Sequence, residues 1–251
     1  MNASEIIAAL DLPAGSRVDR RVPKKLLLEN GTPTAADKRH INDGVEELWW
    51  VAALKPTTVS VPEYRDDVRE YLEIAALHLM IRPGTRANRL VELVHRAVPY
   101  PVLLLTDGER TGVSTAHKRW AQNEAGKVVL DGELVEVEWD ETQDGPQRAA
   151  FCEGVALRRQ PRTTLLALYQ GWMNAIIALK AARQTGNFIE ASSTEQADAR
   201  GAALLECSRL DAEIARLQAA TAKERQMARQ VELNVELKRL EAALAVSRAK
   251  L

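Results

Sequence analysis

From Ala202 to Leu251 the chain has neither glycine nor proline. Leu233, Leu237, Leu240 and Leu244 recur there at alternating steps of four and three, with Leu251 one heptad further. This is an apolar stripe with a period near 3.5. One uninterrupted helix of this length would reach on the order of 75 Å at about 1.5 Å per residue, and its stripe needs a partner surface. An earlier set, Cys207, Leu210, Ile214 and Leu217, runs in a different heptad phase, and the polar stretch 218–229 separates the two. The phase change predicts a stutter or a handover between packing partners. The first set is expected on the chain's own Leu165–Leu179 helix, the second on an external partner.

Upstream, the pattern changes with position. Ile6, Ile7 and Leu10 mark a short helix that Pro13 and Gly15 stop. Arg20, Arg21, Lys24 and Lys25 surround Val22-Pro23 and lead into three leucines, read as a basic, extended approach. A turn at Asn30-Gly31 and Pro33 precedes Thr34, a helix N-cap with Asp37 in the first turn. Ile41, Val45, Leu48 and Ala52 keep one face apolar and predict that this helix continues past Trp49-Trp50, one of which enters the core. Residues 57–61 and 71–81 read as strands, the second nearly continuously apolar and therefore central. Leu90, Leu93, Val94 and Ala97 predict a helix over 87–98, ended by Pro99. Strands follow at 102–105 and 112–120, joined across Asp107-Gly108 as a hairpin. Val135, Val137 and Trp139 alternate with Glu136 and Glu138, the pattern of a strand with one wet face. Beyond Pro161, residues 163–185 form a helix stopped by Gly186-Asn187, and 191–201 is a polar linker. The fold class is α+β, a mixed but largely antiparallel sheet with helices over residues 1–150. A helical region and linker follow at 151–200, then a long C-terminal amphipathic, coiled-coil-like helix at 201–251.

Composition narrows the function. The chain has 251 residues, 46% hydrophobic, enough for one sizeable core and an appendage. A formal net charge of −1 and a pI near 6.5 argue against a dedicated, sequence-independent nucleic-acid binder. Cys152 and Cys207 stand far apart and read as reduced thiols. The first residues lack a signal-peptide pattern, and no stretch reads as a membrane span, so the expected address is the cytoplasm without membrane contact.

Candidate chemistry is sparse. Asp107, Glu109 and Lys118, with His117 beside them, can be read as a metal-dependent nuclease cluster of paired acids and a lysine. Yet the acids fall in a turn, and the acid-x-lysine pair of restriction-type nucleases is absent. Lys118 and Arg119, with Arg20, Arg21, Lys24 and Lys25, are the candidates for nucleic-acid contact; solvated charges account for them as well. The acidic run 131–144 reads as a wet strand face plus a loop. His40, His78 and His95 stand at no metal-ligand spacing. No phosphate loop, dinucleotide fingerprint or nucleophile elbow is present. No cofactor or metal is therefore expected, and the reading leans away from an enzyme.

The segment Lys223–Leu240, KERQMARQVELNVELKRL, resembles the closing part of a bacterial domain-of-unknown-function family, DUF4391. Val22-Pro-Lys-Lys25, Asp37-Lys38 with Leu54-Lys-Pro-Thr-Thr58, Val98-Pro-Tyr-Pro-Val102, Ala116-His-Lys-Arg119 and Leu165–Trp172 are similar to it in the same order, so the likeness covers nearly the whole chain. Members of that family are often encoded beside helicases and DNA methyltransferases of restriction-like or phage-defence clusters. The resemblance implies a non-catalytic accessory or adaptor subunit that docks such a helicase or methyltransferase, or pairs with itself. It brings no catalytic residues with it. Leu233, Leu237, Leu240, Leu244 and Leu251 are the residues expected to bind the partner. A metal-dependent nuclease or a nucleic-acid binding module of the same system is the alternative.

Overall fold

The computed structural model describes every residue except Thr32, Pro33, Asn123 and Ala125, and leaves out the side chain of Thr194. The Pro33 part of the expected turn lies outside the described residues. The helices are α1 (Ala3–Ala9), α2 (Lys24–Asn30), α3 (Ala35–Gly44), α4 (Pro56–Val59), α5 (Ala87–Ala97), α6 (Glu141–Asp144), α7 (Arg148–Val155), α8 (Leu165–Thr185), α9 (Thr194–Thr221) and α10 (Met227–Arg248). The strands are β1 (Arg17–Arg21), β2 (Val45–Leu54), β3 (Tyr64–Arg65), β4 (Glu70–Tyr71), β5 (Ile74–Ile81), β6 (Val102–Asp107), β7 (Gly112–Trp120) and β8 (Val128–Glu138). The α+β class holds: a six-stranded sheet runs β1-β2-β5-β6-β7-β8, and only the β5–β6 pair is parallel. Strands β3 and β4 pair separately.

The chain divides into two compact units, Met1–Ile176 and Ile177–Leu251. The first extends past the expected limit at residue 150 because α7 and the start of α8 complete its core. Trp172, fully buried, donates its indole N–H to Val155 O at 2.8 Å. The buried Tyr169 hydroxyl donates to Val102 O and accepts from Ala116 N–H, tying α8 to β6 and β7. On one face of the sheet, Ala75, Leu77, Leu79, Ile81, Val102 and Leu104 pack with Leu27 of α2, Ile41 of α3 and the apolar side of α5. Strand β5 is apolar on both sides, as its sequence predicts, since Ile74 and Ala76 are buried too.

Three local expectations change. Residues 24–30 form helix α2, not an extended approach. Pro23 fixes the entry at φ −63°, and Lys-Lys-Leu-Leu-Leu-Glu has no β-branched residue to oppose a helix. The helix starting at Thr34 stops at Gly44, although its cap is as expected: Thr34 Oγ1 accepts from Asp37 N–H at 3.1 Å. Residues 45–54 are β2, a strand with two register irregularities, at Val45/Glu47 and Trp50/Ala52. A bulge inserts a residue into the alternation, so buried Val45 and Leu48 fall three apart and imitate a helical stripe. Residues 56–59 make the single-turn α4, with Pro56 at its start and Ser60 in the left-handed region at φ 53°.

In the second unit, the expected single helix over 201–251 is instead two helices, α9 and α10. Cys207, Leu210 and Ile214 of α9 pack on Leu237, Leu240 and Leu244 of α10, with Leu217 and Leu251 at the margins. The two leucine phases are thus partners of each other. Reversal between Ala222 and Gln226 needs no glycine, because Glu224 organises it: its carboxylate accepts the N–H groups of Arg225 and Gln226 at 2.7 and 2.9 Å. Helix α8, which begins in the first unit and ends in the second, is long and apolar enough by length and composition to cross a membrane, contrary to the sequence reading; 67% of that apolar window is buried within the protein. It has the character of a core helix.

Candidate functional site

The nuclease candidates do not converge. Asp107 closes β6, where its Oδ2 meets His78 Nε2 at 3.0 Å and its Oδ1 accepts from Ala3 N–H and the Thr111 hydroxyl. Glu109 accepts the Gly84 N–H at 3.2 Å. Lys118 lies six residues beyond Gly112 along β7, roughly 20 Å from that turn at about 3.3 Å per residue. Among the described residues no group of three or more His, Cys, Asp or Glu side chains is placed to hold a metal ion.

Lys118 has a different environment. It is buried, and its ammonium donates to the carbonyls of His95 and Val98 at the end of α5. Residue 99 is proline and has no N–H, so the His95 carbonyl lacks the helical donor it would otherwise receive four residues on. The lysine supplies the missing donor. Burial pulls the amine down to about 7. His95 beneath it is fully buried, and burial followed by the lysine's charge pulls it down to about 3, so the ring is neutral at neutral pH. Its Nε2 shares a hydrogen bond of 2.9 Å with Ser114 Oγ. This constellation caps a helix and fixes β7 beneath it.

The basic residues are likewise largely engaged. Arg119 lies 3.4 Å from Asp131, which Arg69 also holds at 2.9 Å. Arg21 pairs with Glu47, Lys25 with Glu29, and Lys24 donates to the carbonyls of Asn42 and Val45. Lys24 and Lys118 bond to carbonyls and have no acidic partner, and of the six Arg20 alone has neither an ion pair nor a side-chain hydrogen bond among the described residues. Pro99 and Tyr100 stand between the two groups, lining a hollow with Arg20 and Arg21 on one side and another with Lys118 and Arg119 on the other.

A polar chain escaped the sequence reading. Tyr71 OH meets His117 Nδ1 at 2.5 Å, His117 Nε2 meets Gln170 Oε1 at 2.7 Å, and Gln170 Nε2 donates to Asn174 Oδ1 at 2.9 Å. The amide oxygen can only accept, so His117 carries its proton on Nε2 and accepts from the tyrosine. Burial raises the Tyr71 hydroxyl far above its usual range, so it stays a donor. The only sequence signal was polar residues at 117 and 170 inside apolar elements.

The C-terminal hairpin places the leucines proposed for partner binding. Leu237, Leu240 and Leu244 are buried between α9 and α10, while Leu233 and Leu251 are half-buried. The face of α10 turned away from them carries Met227, Val231, Val235 and Val246, which are between 56% and 77% exposed. At about 100° per residue these four fall within an arc of about 100°, centred nearly opposite the leucines. Ala242 lies in the same arc and is exposed. Lys238 is the one charged residue within that arc, so the outer side of α10 is apolar apart from this position and lies opposite the leucine stripe.

The model of the family described as Domain of unknown function (DUF4391) matches residues 10–244, and the chain belongs to that family. No curated protein and no solved structure matches it.

Proposed function

We propose that this member of the DUF4391 family is a non-catalytic accessory subunit of a restriction-like or phage-defence system, working in the cytoplasm, and that it docks a partner protein through the outer face of its C-terminal hairpin. The supporting observation is the two-sided character of α10. A surface helix in water normally has one apolar stripe, and a second stripe on the opposite side calls for a second packing partner. The inner leucines hold the hairpin together. Met227, Val231, Val235 and Val246 are then the contact residues, as the apolar anchors of a helix-in-groove interface. The partner is the helicase or DNA methyltransferase encoded in the same cluster, as the family resemblance implies.

Co-expression with each of those neighbours, followed by purification through a tag on the neighbour, tests this. The full chain is expected to co-purify, and the exposed double substitution Val231→Glu with Val235→Glu to abolish co-purification while leaving the circular dichroism spectrum unchanged. Light scattering on the isolated chain separates the alternative. A stable dimer lost in the double variant would assign the same face to a second copy, and co-purification untouched by the substitutions would overturn the reading.

A further inference from the structure

The first unit contains an apolar hollow of about 370 Å³ that the docking proposal does not involve. It lies beside the edge strand β1, where the short α2 and the C-terminal end of α5 leave the sheet incompletely covered. Leu27, Leu48, Ala75 and Leu77, all members of the main core, form its floor. Val22, Leu26, Trp50, Val98 and Tyr100 form its walls. Two of these, Leu26 and Tyr100, are large side chains left 47% and 40% exposed at the mouth. An opening of this size is at the low end for small-molecule sites. Its apolar walls reach into the core, so a ligand entering it would remove apolar surface from water on both partners.

The charge at the rim is one-sided. Arg20 and Arg21 are the charged residues lining the hollow, and no carboxylate lines it. Arg21 is within 3.2 Å of Glu47, whereas Arg20 has no acidic partner among the described residues. A guanidinium without a counter-ion at the edge of an apolar cleft matches a molecule with an apolar body and a carboxylate head. Its planar fork of N–H donors fits a carboxylate in a bidentate pair.

We propose that this hollow is a binding site for a small amphiphilic carboxylate, with the apolar body held between Trp50, Leu26 and Tyr100 and the carboxylate at Arg20. Three of the four floor residues, Leu48, Ala75 and Leu77, come from strands β2 and β5, which are fixed by the sheet, and Leu27 of α2 is buried in the same core, so the site is formed before the ligand arrives. The Arg20 side chain is exposed and makes no hydrogen bond or ion pair among the described residues, and its replacement leaves the core intact.

The probe is 8-anilinonaphthalene-1-sulfonate, which carries an aromatic body and an anionic head, titrated into the full chain and displaced by decanoate or by decan-1-ol. Saturable displacement by decanoate is expected, with the alcohol clearly weaker. Arg20→Gln is expected to weaken decanoate about tenfold, the value of one charge-assisted hydrogen bond, and to leave the alcohol unchanged. Val98→Phe, which narrows the hollow, is expected to weaken both ligands, its fold checked by thermal denaturation. The Val231→Glu and Val235→Glu chain is the control for dye bound on α10, and it is expected to titrate as the parent does. Equal displacement by acid and alcohol, unaltered in Arg20→Gln, would overturn the role of the carboxylate. Absence of saturable displacement, or its loss in the α10 variant, would overturn the site.

Discussion

Helices α5 and α10 are built from similar apolar residues but differ on their outer sides. In α5, Leu90, Val91, Leu93, Val94 and Ala97 face the core, while the solvent side carries Arg89, Glu92 and Arg96, linked by ion pairs of 2.8 Å or less to Asp37 and to one another. Its apolar surface is fully used by its own fold. In α10 the leucines serve the fold in the same way, but the opposite side offers methionine and valines to water. The lesson concerns the polar side. Burial of one stripe is common to both helices, and only the composition of the other side distinguishes a structural helix from one with apolar surface in surplus.

That contrast is broken most forcefully within α10 itself. Leu240→Ala removes a buried side chain between the two helices and is expected to destabilise the hairpin by about 2–3 kcal/mol, at the low end for buried leucine because it lies at a two-helix contact. Val235→Ala on the outer face is expected to change stability by less than about 0.5 kcal/mol. Hydrogen exchange of the α9 and α10 amides reads both. Equal losses would mean that the outer stripe also supports the fold, and the distinction between the two sides would collapse.

The polar groups around α5 supply the next test. Lys118 loses its proton near pH 7 in the folded chain, against 10.5 for an unperturbed lysine. Between those values the unfolded chain holds more protons than the folded one, so stability rises with pH from about 7 towards 10. The rise is expected to be on the order of 1–3 kcal/mol, since the hydrogen bonds to the His95 and Val98 carbonyls favour the charged form and offset part of the burial cost. Urea unfolding at pH 7, 8 and 9 measures it, and the difference between the parent chain and Lys118→Met isolates it. A slope unchanged by the substitution would assign the pH dependence to other groups.

What was legible in the sequence follows the range of the interactions. Helix α5, the β6–β7 hairpin, the half-wet β8 and the Thr34 cap are set by neighbours a few residues apart, and periodicity or a short motif reports them. Strand β2 was misread because its two bulges give it a helix-like spacing. The role of Lys118 depends on a carbonyl 23 positions earlier, orphaned by Pro99, and the Tyr71–His117–Gln170 chain spans 46 and then 53 positions. No local pattern encodes such contacts. The heptad leucines are visible in the sequence, but it places the first set on the Leu165–Leu179 helix and the second on a partner outside the chain, whereas the two sets pack on each other. Two stripes in different phases on one continuous helix and two stripes facing each other across a turn have the same apolar pattern.

The turn decides between those two arrangements, and it gives the smallest of the expected effects. A run without glycine or proline, 202–251, reverses direction in the turn ahead of α10, where the Glu224 carboxylate accepts the N–H groups of Arg225 and of Gln226, the residue that precedes the helix, while its carbonyl receives the Gln230 side chain at 2.7 Å. Glu224→Ala leaves those N–H groups to water and is expected to cost less than either substitution above, because the turn it organises is open to solvent. Because the leucine contacts remain, the hairpin is expected to persist, with faster exchange confined to the amides near 225–230. If instead the variant straightened into one helix, paired labels at exposed Leu205 and Val246 would move far apart. The reversal would then belong to the cap, and the leucine cluster would be its consequence.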